Sequence, residues 1–287
     1  MEYAPAALKD ALSYLLDEGS TNAYHQVHRQ SQSWDDLKDD SVNDQMELLR
    51  QLLIARPADP ELPESVSRSI STIHDMRLSR RSLTSIQSLK PNKVITKRNQ
   101  QQARLFLWRG DITALSGVTA IVNAANSQML GCFKPNHRCI DNVIHSWAGP
   151  KLRSECYNLT SRATTEIPPG HSITTRGYHL PAPYVIHTVG PKLRRGSDPT
   201  SGQKQRLLDC YTSILEELQK LPAADGRKAV AICCISTGVF AYPADKAAQV
   251  AVDTVSRWLE EHDTETTDVI FNTFTKEDTA IYRNLLE

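Results

Sequence analysis

From about residue 100 onward the chain alternates short apolar runs with longer amphipathic ones, and several of the short runs are apolar without a break. A strand with one face in water alternates apolar and polar side chains. An unbroken apolar run of strand length is what a sheet covered on both faces requires. Strand candidates are "RLFLW" (104–108), "TAIVNA" (119–124), "SITTRGY" (172–178), "YVIHTVG" (184–190), "AVAICCIS" (229–236) and "DVIFNTF" (268–274). Helix candidates lie at about 140–156, 202–221, 244–262 and 276–286. Strands and helices in alternation predict a three-layer α/β/α domain.

Ahead of that region the texture is helical. "YAPAALKDALSYLLDE" spaces Leu8, Leu12, Leu15 and Leu16 as an amphipathic helix. "SVNDQMELLRQLLIARP" opens on Ser41 as an N-cap, places Asp44 three residues on and stops before Pro57. Arg77 to Arg98 carries seven positive residues, no acid and no aromatic side chain for stacking, so it reads as a solvated connector more than a nucleic-acid patch. The predicted organisation is a mainly helical extension with a basic connector over 1–98 and an α/β domain over 99–287. The 33 basic and 33 acidic residues balance, giving no field that calls for nucleic acid or an anionic membrane. No apolar run reaches the roughly 18 residues of a membrane span, and the first residues do not read as a secretory signal. Six cysteines are too few for a disulfide scaffold, which points to reduced thiols and a cytoplasmic or nuclear location.

In α/β sheets ligands collect at the loops leaving the carboxyl ends of strands, and four such loops carry chemistry. In "WRGDIT", Gly110 permits a tight turn and Asp111 offers a carboxylate, although Asp111 with Thr113 also fits simple turn and cap chemistry. "NAANS" presents two amides, Asn123 and Asn126, able to donate and accept, as sugar hydroxyls require. "ISTGVFAYP" can wrap the backbone of Ser236, Thr237, Gly238, Val239 and Phe240 around a phosphate ahead of a helix. It lacks the Lys of a Walker A loop, which argues against nucleoside triphosphate hydrolysis. Phe274, ending the last strand candidate, can stack on a base or belong to the core. A carboxylate, an amide pair, a phosphate cradle and a terminal aromatic together describe a pocket for a nucleotide-sugar diphosphate.

"MLGCFKPNHRCIDN" adds a different chemistry. Cys132, His137 and Cys139 are soft ligands within eight residues of a segment broken by Gly131 and Pro135. A structural zinc commonly takes four protein ligands, whereas three leave a position open for water or substrate, as catalytic sites do. Cys156, His145 or His187 could supply a fourth ligand and make the metal a clip. Asp141 and His145 share a helical face at i,i+4 spacing. Asp141 fits either a first-turn acid complementing the helix dipole or a group that orients substrate or accepts a proton. His187 reads as a satisfied histidine within a sheet, and Cys210, Cys233 and Cys234 read as core residues.

"GDIT", "IVNAANSQMLG", "CIDNVIHSWAG" and "ISTGVFAYP", in this order, closely resemble the macrodomain family, whose members bind ADP-ribose. "GCFKPNHRC" resembles the insertion of its zinc-containing branch, described as removing ADP-ribose from modified protein side chains. The resemblance runs from about Leu105 to Leu286, and the first hundred residues resemble the helical extension of that branch. It implies a three-layer macrodomain with a mixed central sheet, a zinc ion as cofactor held by Cys132, His137 and Cys139, and ADP-ribose or an ADP-ribosylated protein as partner. It further implies that Asp111 accepts from the adenine amino group beside the Ile112 backbone and that Phe274 flanks the adenine. Ser236 to Phe240 would wrap the diphosphate, Asn126 would bind the distal ribose with Asn123 shaping that contact, and Asp141 would act near the same ribose. The expected activity is zinc-dependent hydrolysis of ADP-ribosylated side chains, with ester-linked Asp or Glu as the acceptor. The alternative is a reader that binds ADP-ribose over a structural zinc. A zinc-stapled adaptor using the basic stretch is a third reading; neither nucleic acid nor membrane is an expected partner, and no oligomeric state is assigned.

Overall fold

The apolar runs do become strands of one sheet. In the computed structural model, which describes residues 5–21, 33–161, 166–223, 226–262 and 266–287, the chain separates into two units that do not follow chain order. One unit takes the chain up to Arg81 with Leu130–Leu159 and Tyr178–Leu180; the other takes Ser82–Met129, Thr160–Gly177 and Pro181–Glu287.

The first unit is helical, with α1 (Pro5–Thr21), α2 (Trp34–Leu37), α3 (Val42–Ala55), α4 (Glu64–Ser79), α5 (Ile140–Ala148) and α6 (Pro150–Ser161). Leu8, Leu12 and Leu15, on one face of α1, pack with Leu52 of α3 and Ile70 of α4 in a single apolar cluster. Ser41 caps α3 as its sequence predicts, its Oγ accepting the Asp44 N–H at 3.2 Å. At the far end of α3, Arg56 grips Glu18 of α1 with two bonds of 2.7 and 2.8 Å, both side chains nearly buried. The single helix expected over 140–156 is two helices. Gly149 adopts φ 86° and Pro150 opens α6; the residue before a proline disfavours helical backbone, and proline suits a first helical position.

The second unit contains β1 (Thr84–Ser85), β2 (Lys93–Thr96), β3 (Gln102–Arg109), β4 (Leu115–Ser116), β5 (Ala120–Ala125), β6 (Ser172–Arg176), β7 (Tyr184–Val189), α7 (Ser201–Lys220), β8 (Arg227–Ile232), α8 (Ala244–Glu261), β9 (Thr266–Thr273) and α9 (Lys276–Leu286). Seven strands form a mixed sheet in the order β2-β3-β9-β8-β5-β7-β6, antiparallel only at its two outer pairs. β5, β7, β8 and β9 are buried along almost their whole lengths, which is why they read as unbroken apolar runs. α7 packs on β6, β7 and β8, α9 packs on β3 and β9, and α8 lies against both helices. This is the α/β class with a mixed sheet and a helical N-terminal region.

Two sequence expectations need correction. The stretch Arg77 to Arg98 is no loose connector: its first residues end α4, and "KVIT" forms the edge strand β2. The exposed Lys93 that opens β2 is the kind of charge by which a sheet edge resists further pairing, and it hides the strand among charged residues. The run "AVAICCIS" stops being a strand at Ile232, so Cys233 and Cys234 lie beyond it, Cys233 still buried. Among the described residues no helix is long and apolar enough to cross a membrane. Ile270 is fully buried in β9, between β3 and β8; Ile270→Ala should destabilise the chain by roughly 2–5 kcal/mol in urea unfolding.

Candidate active site

β3, β9, β8 and β5 run parallel, so their carboxyl ends share one edge of the sheet. β8 is the short one there. It stops at Ile232, opposite Phe271, while β9 continues to Thr273 and β5, last paired to β8 at Ile121–Ala231, continues to Ala125. The edge is therefore notched at β8, and a crevice outside the carboxyl ends is where ligands of such sheets bind. Strand order sets the sequence of loops across it: Gly110–Asp111 after β3, Phe274 after β9, 233–243 after β8, and Asn126 after β5. Neighbouring strands lie about 4.8 Å apart, so β3 to β5 spans about 14 Å.

Each loop has an internal fastening. Asp111 caps the short 3-10 turn Ile112–Ala114, its Oδ1 accepting from Thr113 N–H at 3.0 Å and Thr113 Oγ1 at 2.6 Å. The cap chemistry foreseen for Asp111 and Thr113 is thus present, and it orients the half-buried carboxylate. Asn272 pins the same turn from β9: its Nδ2 donates to Gly110 O at 3.0 Å, and Gly110 N–H donates to Thr273 O at 3.0 Å. Asn126 folds into an Asx turn, Oδ1 accepting from the N–H groups of Gln128 and Met129 at 3.0 and 3.1 Å. That fixes its amide plane, and the residues Ala125 and Met129 on either side of the turn belong to a small apolar cluster with Val189.

The 233–243 loop is the most unusual of the four. Ser236 and Ala241 take φ of 66° and 57°, and the loop closes on itself through Tyr242 N–H to Ser236 O at 3.0 Å and Ala241 N–H to Gly238 O at 3.1 Å. Among the described residues no acceptor takes the N–H of Gly238, Val239 or Phe240, and the buried Ser236 hydroxyl has no protein partner. Unused donors in a tight turn ahead of a long helix form an anion cradle. Phe274 is 80% exposed and Val239 is 62% exposed, the two most exposed large apolar side chains among the described residues. A core role for Phe274 is therefore excluded, and both side chains stand on loops of the notched edge.

Asn123 differs from Asn126. It is fully buried, and its Nδ2 lies 3.1 Å from His187 Nδ1, while His187 Nε2 lies 2.9 Å from Thr175 Oγ1. Burial holds the His187 imidazole down to about 4, so it is neutral at pH 7. An amide nitrogen only donates, so Nδ1 accepts and the ring proton sits on Nε2, directed at Thr175. His187 is the satisfied sheet histidine its context implied, and it orients Asn123 rather than a substrate.

The helical unit holds the candidate metal ligands. The donor atoms of Cys132, His137 and Cys139 all lie within 4.8 Å of one another, with Cys132 Sγ 3.0 Å from His137 Nδ1. No other described His, Cys, Asp or Glu of this unit joins that cluster, so neither Cys156 nor His145 closes it. Burial pushes the Cys139 thiol up to about 12, opposed by the Asn142 N–H and reinforced by Cys132 and Asp141. A divalent cation reverses that balance by holding thiolates outright, so two thiols and an imidazole converging here fit zinc. Asp141 and His145 share the buried face of α5, Oδ1 to Nε2 at 3.5 Å. Sequence reasoning missed Asn272, Asn142 and Arg153. A lone amide inside the apolar run "VIFNTF" was the one available sign of the first.

Comparison with known proteins follows the same lines. A family model described as the Macro domain matches residues 122–251. The chain is 47% identical, over 97% of its length, to a "Probable bifunctional ADP-ribose hydrolase/ADP-ribosyltransferase" of Fusarium oxysporum f. sp. cubense, of which it spans 46%, about half. It is 41% identical to a "Protein-ADP-ribose hydrolase" of Staphylococcus aureus, covering 96% of this chain and 94% of that protein. The Trypanosoma brucei macrodomain in complex with ADP-ribose superposes with a TM-score of 0.60 at 28% identity, covering 80% of this chain and 93% of that one. The Oceanobacillus iheyensis macrodomain with ADP gives 0.54 at 33% identity, covering 64% and 90%.

Buried neutral histidines make stability depend on pH. Burial lowers His187 to about 4 and His74, in the helical unit, to about 3. Between those values and the ordinary histidine range near 6.5, the unfolded chain binds the extra protons, so stability falls as pH drops through that window. The urea midpoint should decrease from pH 7 to pH 4.5, and His187→Asn should show a shallower decrease.

Proposed function

Because this chain belongs to the macrodomain family, we propose that it is a hydrolase releasing ADP-ribose from modified protein side chains, with zinc as its cofactor and ester-linked Asp or Glu as its acceptor. The observation that carries the ligand assignment is the notched sheet edge. It ranks a carboxylate, an exposed aromatic ring, a turn of unused N–H donors and an oriented amide across about 14 Å. That is the order of adenine, diphosphate and ribose along an extended ADP-ribose. The names of the Staphylococcus aureus and Fusarium relatives support the reaction class.

In this reading Asp111 accepts from the adenine amino group, the Ile112 backbone lies beside it, and the Phe274 ring covers the base. Gly238, Val239 and Phe240 donate their N–H groups to the diphosphate, joined by Thr237 and the Ser236 hydroxyl, with the amino end of α8 adding a favourable field. Asn126, its Oδ1 committed to the Asx turn, presents its amide nitrogen to a hydroxyl of the distal ribose, and Asn123 supports the strand end beneath it. Cys132, His137 and Cys139 would hold zinc, which supplies Lewis acidity toward oxygen at neutral pH. Asp141 orients the ribose or takes up a proton from water.

The test is incubation with glutamate-linked and arginine-linked ADP-ribosylated acceptors. Label should leave the glutamate ester within minutes to hours; label unchanged on both would assign the chain to readers of the modification. Cys132→Ser and His137→Ala should abolish release while ADP-ribose binding, measured by calorimetry, is weakened but detectable. Asp111→Ala should weaken ADP-ribose binding by about 10- to 150-fold, the loss of one hydrogen bond to a charged acceptor, and Asn126→Ala should damage binding and turnover together.

A further inference from the structure

The loop from Gly131 to Cys139 has no regular secondary structure, yet three converging donors need a backbone held to fractions of an ångström. Within the loop the main chain makes two short turns, His137 N–H to Lys134 O at 2.9 Å and Cys139 N–H to His137 O at 3.1 Å, and Cys132 Sγ lies 3.0 Å from His137 Nδ1. Its remaining fastenings come from elsewhere in the helical unit. Asn142, buried on α5, donates its side-chain amide to Lys134 O at 2.7 Å and His137 O at 2.8 Å, and its N–H meets Cys139 Sγ at 3.5 Å. One residue thus fixes the main chain on either side of His137 and the sulfur of Cys139.

Arg153, on α6, does the same for the start of the loop. Its Nε donates to Leu130 O at 2.8 Å and its guanidinium lies 4.5 Å from the Phe133 ring. Nη1 reaches Leu53 O at 3.0 Å and also Arg56 O, at the end of α3. Gly131, at φ 85°, leaves room for the crossing, since a Cβ there would stand 3.2 Å from Arg153 Nη2. Arg50 of α3 adds a bond to Pro135 O at 3.1 Å. A planar fork held among fixed carbonyls is a rigid strut, which a lysine ammonium cannot reproduce.

We propose that Asn142, Arg153 and Arg50 are positioning residues for Cys132, His137 and Cys139, so that α3 is part of the construction of the metal site and not an accessory. The inference rests on the reading of this loop as a zinc site. Residues that orient metal ligands typically govern affinity by 10- to 100-fold.

Zinc affinity of the full chain, measured by competition with a chromogenic chelator, tests this alongside the visible spectrum of the cobalt-substituted protein. Asn142→Ala should weaken zinc binding at least about tenfold and alter the cobalt bands. Arg50→Ala, at a half-buried position outside the apolar cluster of the helical unit, should shift both in the same direction by less. Arg153→Lys should fail to restore parental affinity. Variants that unfold at lower urea in zinc-free form but keep parental affinity and cobalt spectrum would overturn the positioning role. A parent chain that takes up neither metal would overturn the zinc reading itself, and this inference with it.

Discussion

The parallel pairing of β3, β9, β8 and β5 is the constraint on which the candidate ligand site depends. Each strand contributes one loop, and parallel alignment sends all four to the same edge. Shortening β8 by a few residues relative to its neighbours turns that edge into a crevice. The residues that line it are separated by up to 163 positions in the chain, from Asp111 to Phe274, and only the strand order ranks them. Apolar burial along β5, β8 and β9 supplies the stabilisation, so the loops themselves need contribute little and are free to carry unused donors and an exposed ring.

Buried polar side chains do the fine placement. Asn272 would be costly inside an apolar strand without partners, and the partner it finds is the Gly110–Asp111 turn. His187, neutral and enclosed, passes order from Thr175 to Asn123. Arg153 keeps its charge despite burial, since even lowered to about 10 it is protonated at neutral pH, and it satisfies that charge with main-chain carbonyls of α3 and of the cysteine loop. In each case a desolvation cost is offset only in one geometry, which is how a polar group specifies position.

The candidate metal site follows a different economy from the sheet edge. Its three donors come from one short stretch, so their proximity is local, while the stiffness of the stretch is borrowed from α3, some 80 residues earlier, and from α5 and α6 that follow. The helical region ahead of the sheet therefore has a structural task inside its own unit, where Leu52 joins the core and Leu53, next in sequence, offers its carbonyl to Arg153.

Local pattern was enough for much of this. Continuous apolar runs marked β3, β5, β7, β8 and β9 because burial on both faces must be written into consecutive residues, and Ser41, Asp111 and the Cys-His-Cys spacing were readable because caps and clustered ligands act over a few positions. β2 escaped notice because an edge strand four residues long carries charge and no periodicity. The break at Gly149–Pro150 was passed over because the apolar rhythm runs through it. What the amino-acid order determined by itself was therefore the set of elements, the ligand-bearing loops and the family they resemble. Tertiary structure alone decided that β8 stops before both its neighbours at that edge, that Asn272 and His187 face particular partners, and that Arg153 bridges carbonyls at positions 53, 56 and 130. Those outcomes depend on which distant backbone groups remain in need of a donor once the chain has folded, and no local window contains that information.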